Sequence, residues 1–155
     1  MRRGQFFPAG EGSPDFNVVH AIRVSNDGMV YLADRENRRV QMFTSDGKFV
    51  KQLVRTATSF ARDFAFSPDP EQQFLYVGGG KGITIVDRKT LEVLGEVLVP
   101  GQIGAGHHIA TDSKGSIYIV QVSLEIVERH CSCLAMLPPD SRHAPCSPPC
   151  VLRAQ

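Results

Sequence analysis

The sequence predicts an all-β chain, a β-propeller fragment of about two and a half four-stranded blades. Three observations carry this: a meander pattern in residues 16–53, its recurrence further along, and a tyrosine at a constant place in each copy. Within 16–53, residues 19–24 form a first apolar run, and Asn26-Asp27-Gly28 makes a turn because these residues tolerate positive φ. Residues 29–33 form a second run, 34–37 a polar loop, and 39–43 a third run with alternating faces. Ser45-Asp46-Gly47 then turns the chain into 48–53. Strands this short with such small connections pair antiparallel with their sequence neighbours. The unit returns over 63–99, and its first half over 107–120. Tyr31, Tyr76 and Tyr118 hold the same place at intervals of 45 and 42 residues. A period of that size with four strands per repeat marks a propeller.

These boundaries divide the chain into a Gly/Pro-rich inter-blade linker (1–15), a first blade (16–54), a second (55–100), the first half of a third (101–122) and a Cys/Pro-rich tail (123–155). Propellers close with roughly four to eight blades. The chain is therefore expected to belong to a larger ring, its partners being the missing blades, or to self-associate.

Composition narrows the function classes. The apolar share of 42% is near the globular average. The formal net charge is +1 with both signs interspersed, which gives no electrostatic footprint for nucleic acid. No apolar run approaches the roughly 18 residues of a membrane span. Met1-Arg2-Arg3 is basic, but no apolar segment of signal-peptide length follows, so none is expected and the compartment stays open.

The apolar run, Asp-Gly turn, Ala33-Asp34-Arg35-Glu36-Asn37 and Arg39-Val40-Gln41-Met42-Phe43 resemble an NHL repeat. With Phe16 and His20, residues 16–53 are particularly similar to a blade of the peptidyl-α-hydroxyglycine α-amidating lyases. The NHL likeness covers about residues 5–121, and the lyase likeness is strongest in the first blade and at His107.

Position alone makes His20 and His107 candidates. His20 lies eight residues before Gly28, as His107 lies eight before Gly115. Both open the innermost strand of a blade, at the mouth of the channel. An antiparallel hairpin returns to its starting end, so Arg35, in the loop after the second strand, is expected on the same face as His20. Imidazoles converging from separate blades suit zinc, whose catalytic sites commonly have three protein ligands. The same placement suits a histidine hydrogen-bonded to a neighbouring loop, and Arg35 can simply pair with Glu36 or Asp34. The lyase resemblance implies that His20 and His107 are zinc ligands and that Arg35 lines the active site. The sequence departs from the family where Arg62 stands at the histidine position of the middle blade and His108 at an acidic position. The base tyrosine of the family falls in a blade this sequence does not contain.

The run Gly78-Gly79-Gly80-Lys81-Gly82 lacks phosphate-loop spacing and no helix follows, so it reads as a flexible loop between strands two and three. All four cysteines, Cys131, Cys133, Cys146 and Cys150, fall in the last 25 residues among prolines. With His130 and His143 nearby they could ligate zinc, but the spacing matches no common finger. The tail reads as disordered, or as an out-of-frame continuation.

Two functions follow. In one, the parent propeller is a zinc lyase that splits a peptide substrate into peptide amide and glyoxylate, with no independent catalysis expected from these 155 residues. In the other, it is a non-catalytic scaffold presenting loops to a protein or small ligand. Propellers host many functions, so fold alone does not choose.

Overall fold

Short alternating runs separated by Ser/Thr-x-Asp turns fold locally into meanders, and the computed structural model shows two of them in full. It describes residues 16–54, 61–80, 82–98 and 107–120, together with the backbone of 128–130 and 151–153. The first sheet has the order β1 (Val19–Val24), β2 (Val30–Asp34), β3 (Arg39–Phe43) and β4 (Phe49–Val54). The second has the order β5 (Asp63–Phe66), β6 (Phe74–Gly79), β7 (Gly82–Asp87) and β8 (Val93–Leu98). A third hairpin pairs β9 (His108–Thr111) with β10 (Ile117–Val120), and the short strands β11 (Glu128–His130) and β12 (Val151–Arg153) pair with each other. All pairings are antiparallel. This is an all-β propeller architecture, and no described residue lies in a helix. Among the described residues no helix is long and apolar enough to cross a membrane. The linker 1–15 and the cysteines of the tail lie outside the described residues.

One turn recurs. Gly28, Gly47 and Gly115 have φ of 81°, 89° and 84°, and each amide donates to the carbonyl three residues earlier. The hydroxyls of Ser25, Thr44 and Ser67 donate to Asp27, Asp46 and Asp69, while Asp112 itself fills the corresponding place in the third hairpin by accepting from the amides of Lys114 and Ser116. Side chains that cap their own turn make each hairpin a local decision.

The blades pack face to face. Tyr31, Ala33, Val40 and Met42 of the first meet Phe64, Phe66, Leu75, Val77 and Val86 of the second. On its other side the second blade presents Ala65, Phe74, Tyr76, Ile83 and Ile85 to Ile109, Ile117 and Ile119. Alternation gives each strand one set of side chains per face, so a blade is apolar on both sides.

At the turn end, Arg88 fastens the two blades. Its side chain is 2% exposed and donates to both carboxylate oxygens of Asp27 at 2.9 and 2.8 Å, to the Tyr31 hydroxyl at 3.2 Å and to the carbonyls of Gln72 and Glu71 at 2.7 and 3.0 Å.

The glycine run behaves differently from the sequence reading. β6 continues through Gly79 and β7 begins at Gly82, so Gly78, Gly79 and Gly82 are strand residues. Gly80 has φ 63°, and an added Cβ at Gly82 would stand 2.2 Å from the Val97 carbonyl oxygen. Close backbone approach to β8, not loop flexibility, accounts for glycine at position 82. β2 also runs one residue beyond the apolar pattern, because Asp34 pairs with Arg39 in the ladder.

Candidate functional site at the channel mouth

The first strands of the blades stand side by side, β1 against β5 and β5 against β9. Their entry ends carry the candidate residues. The chain enters β1 through Val18 at φ 58°, a left-handed conformation that a β-branched residue rarely adopts. Three hydrogen bonds hold it there. Asn17 N–H donates to Asp34 Oδ1 at 2.8 Å, Arg35 N–H to the Val18 carbonyl at 3.1 Å, and Glu36 N–H to the Asn17 carbonyl at 3.1 Å. Asp34 is fully buried and is neutralised by Arg39, whose Nε donates to it at 2.8 Å, with Asn37 Nδ2 also at 2.8 Å.

His20 is the residue skipped in the ladder, since Val19 pairs with Asp34 and Ala21 with Ala33. A bulge of this kind re-aims a side chain. Here it sends the imidazole across the second blade's inner strand to the third hairpin. His20 Nδ1 lies 2.8 Å from the Arg62 carbonyl oxygen. A carbonyl only accepts, so Nδ1 carries the proton and Nε2 keeps its lone pair in the neutral ring. That Nε2 is 3.2 Å from Nε2 of His107, and the two rings meet edge to face with centroids 4.5 Å apart.

The structure therefore brings His20 and His107 together although 87 residues separate them. It places Arg35 at the same end of the blade, with Nε and Nη2 each 2.8 Å from Glu36 Oε1. The His107 imidazole is held below its ordinary value, first by burial and then by the charges of His20, His108, Arg62 and Arg35. His108 extends the cluster, its ring centroid 4.7 Å from His107 and 5.8 Å from His20. Arg62, singled out for its side chain, meets His20 through its backbone.

Asp63 is the residue the sequence reading passed over. Its side chain is 3% exposed and receives Arg23 Nη2 at 3.0 and 3.1 Å, the Ile109 amide at 3.1 Å and His108 Nδ1 at 3.3 Å. Arg23 also donates to the Phe64 carbonyl and, at 3.4 Å, to that of Ile109. One carboxylate thus ties β1, β5 and β9 together directly beneath the histidines. The available signal was an aspartate opening the apolar run Asp63-Phe64-Ala65-Phe66, because a charge in a buried strand needs partners.

Two imidazole nitrogens 3.2 Å apart can share a proton or a metal. Zinc–nitrogen bonds of about 2.0–2.1 Å at a tetrahedral angle place two nitrogens about 3.3–3.4 Å apart. The backbone bond from His20 Nδ1 is the usual outer support of a metal-binding imidazole. The pair fits two positions of a zinc ion. Among the described residues no group of three or more His, Cys, Asp or Glu is arranged to hold one.

No family model matches the chain. It is 24% identical over 132 residues to the human (Homo sapiens) NHL repeat-containing protein 3, a match covering 78% of this chain. The chain spans 37% of that relative's length. Among solved structures it is similar to the β-propeller domain of Myceliophteria thermophila Cps50 (Swd1), with TM-score 0.59, 8% identity, and coverage of 88% of this chain and 38% of that one. It is similar to the dihydro-heme d1 dehydrogenase NirN, with TM-score 0.60, 15% identity, and coverage of 88% and 28%. A Bacteroides caccae protein of unknown function gives TM-score 0.55 at 18% identity, with coverage of 71% and 41%. The chain has the β-propeller fold, and its curated relative supports an NHL-type propeller.

Proposed function

We propose that the chain is part of a zinc-dependent NHL-type propeller with the chemistry of the peptidyl-α-hydroxyglycine amidating lyases. The observation that carries this is the His20–His107 pair, with 3.2 Å between Nε2 atoms and with Nδ1 of His20 occupied by a backbone carbonyl. His20 and His107 would hold the metal through Nε2. Bound zinc would act as a Lewis acid towards a substrate oxygen. In the reaction the hydroxyl proton leaves, the glyoxylate C=O forms, and the C–N electrons pass to the amide nitrogen, which takes a proton. Arg35, at the same end of the blade, can stabilise developing negative charge, and Glu36 orients its guanidinium. Asp63 and Arg23 position the β9 entry that carries His107. The peptide substrate is a proposal of this reading, as is the metal.

A second reading, a non-catalytic scaffold that binds a protein or small ligand, is favoured by the two-residue ligand set among the described residues. Metal analysis separates the two. Zinc content and the visible spectrum of added cobalt(II) would be measured on the chain with Cys131 and Cys146 replaced by Ser, and on the same chain carrying His20→Ala or His107→Ala. Zinc that copurifies and disappears in both variants is the expected result. Zinc retained in both, or none in the parent, overturns the metal reading and leaves the scaffold.

A further inference from the structure

The blade repeat contains its own record of what its faces require. Ile22 pairs with Leu32 as Phe64 pairs with Val77, and Val24 pairs with Val30 as Phe66 pairs with Leu75. Ile22 and Val24 are therefore the first-blade equivalents of Phe64 and Phe66. Phe64 and Phe66 are 0% and 8% exposed because the first blade covers them. Ile22 and Val24 are 58% and 61% exposed. Gln41, on the same face of the first blade, has a buried Oε1 with no hydrogen-bond partner, whereas its equivalent Thr84 donates to Glu96. This face is built as an interior and is left half covered.

The opposite end of the array is the complement. The covering face of the first blade carries Ala21, Tyr31 and Ala33. By register the equivalents of Ala21 and Tyr31 in the third hairpin are His108 and Tyr118, with Ala110 beside them. Ala110 is exposed, and the His108 side chain is 60% exposed.

We propose that the chain assembles head to tail with a second copy of itself, the Ile22–Val24 face of each copy seated on the His108–Ala110 face of the other. The contact continues the interface already seen between the first and second blades. Two such contacts close a two-fold ring, so no open filament is generated. Two copies contribute four complete blades and two β9–β10 half-blades, within the roughly four to eight blades of known rings. The contact lacks one fastening, because Ser45 stands at the Arg88 position of the first blade, so it is weaker than the intramolecular one. Where the metal reading above holds, on which this clause rests, the second copy's His20 and His107 face the same channel mouth and add to the two ligands found among the described residues of one copy.

Light scattering during size exclusion, with and without EDTA, tests the assembly on the whole chain. Twice the 17.0 kDa chain mass in both buffers is expected. Ile22→Asp and Ala110→Lys should each weaken association at least about tenfold while circular dichroism stays unchanged. Val24→Ser serves as a milder variant should Ile22→Asp unfold. Mixing Ile22→Asp with Ala110→Lys should restore a dimer, since one interface becomes complementary and the other is unaltered. A monomer at every concentration overturns the proposal and leaves the face to a blade of a longer chain. A dimer that mixing does not restore means like faces meet, and one that EDTA dissolves means that metal alone joins the copies. Either result also overturns it. A dimer that survives EDTA supports the proposal even if the zinc reading fails.

Discussion

Acid should loosen the joint between the first two blades, and Asp27 is where it acts. Arg88 is buried, and its guanidinium is neutralised by Asp27, which is itself 45% exposed. Asp27 is lowered from 3.8 to about 2, chiefly by its hydrogen bond to Arg88. A carboxylate depressed in the folded state contributes stability that is present above its unfolded pKa and disappears as pH falls through the folded one. The window is therefore pH 4 down to about 2. Taken at face value the shift corresponds to about 2.4 kcal/mol, and the exposure of Asp27 reduces that to about 1 kcal/mol after solvent screening. Urea unfolding followed by circular dichroism at pH 7, 4 and 2 would be compared between the parent and Asp27→Asn. The parent should lose about 1 kcal/mol more than the variant between pH 4 and pH 2, and the two should converge at the acid end. Parallel curves would refute the reasoning. Arg88→Met should be worse than Asp27→Asn at pH 7, by about 2 kcal/mol, because it also removes the donors to the Gln72 and Glu71 carbonyls, while the Tyr31 hydroxyl keeps its bond to the backbone carbonyl of position 88.

Three further outcomes are expected. Asp34→Ala should destabilise by about 3–5 kcal/mol in the same urea assay, since it removes the buried carboxylate that accepts from Arg39, Asn37 and the Asn17 amide; a loss below about 1 kcal/mol contradicts this. Gly82→Ala should be far more damaging than Gly28→Ala: at Gly28 a Cβ meets nothing within 4 Å and the cost is the left-handed conformation alone, about 1–2 kcal/mol, whereas at Gly82 it meets backbone. Equal melting temperatures for the two would contradict that ordering. In an NMR titration of the metal-free chain, His107 should protonate below the ordinary imidazole range and move upward in His20→Ala, because burial and the neighbouring His20 both oppose its charge.

The blades were legible because their signals are local. Asp-Gly turns, a constant tyrosine and alternating runs lie within a few residues of one another, and the architecture follows from them. The site was legible in outline. The sequence expected His20 and His107 to converge and Arg35 to share the face of His20, while the contact itself depends on a bulge at His20 and a left-handed Val18 that no residue type announces. Asp63 and Arg88 were missed for a related reason. Each draws its importance from partners 40 or more residues away, such as Arg23 for Asp63 and Asp27 for Arg88. The glycine run misled because glycine serves loop freedom and close packing alike, and only the neighbour of Gly82 tells them apart.

The self-capped turns bear on the order in which the molecule folds. Each hairpin closes over a few residues, so a meander can form in microseconds without help from the rest of the chain. The histidine pair spans 87 residues and exists only once the third hairpin has docked across the second blade. Contacts of such sequence separation form late, after the loop-closure entropy between them has been overcome. The channel mouth therefore works as a completion mark: its imidazoles meet last, and a nascent chain halted before residue 107 would hold folded blades with no site between them.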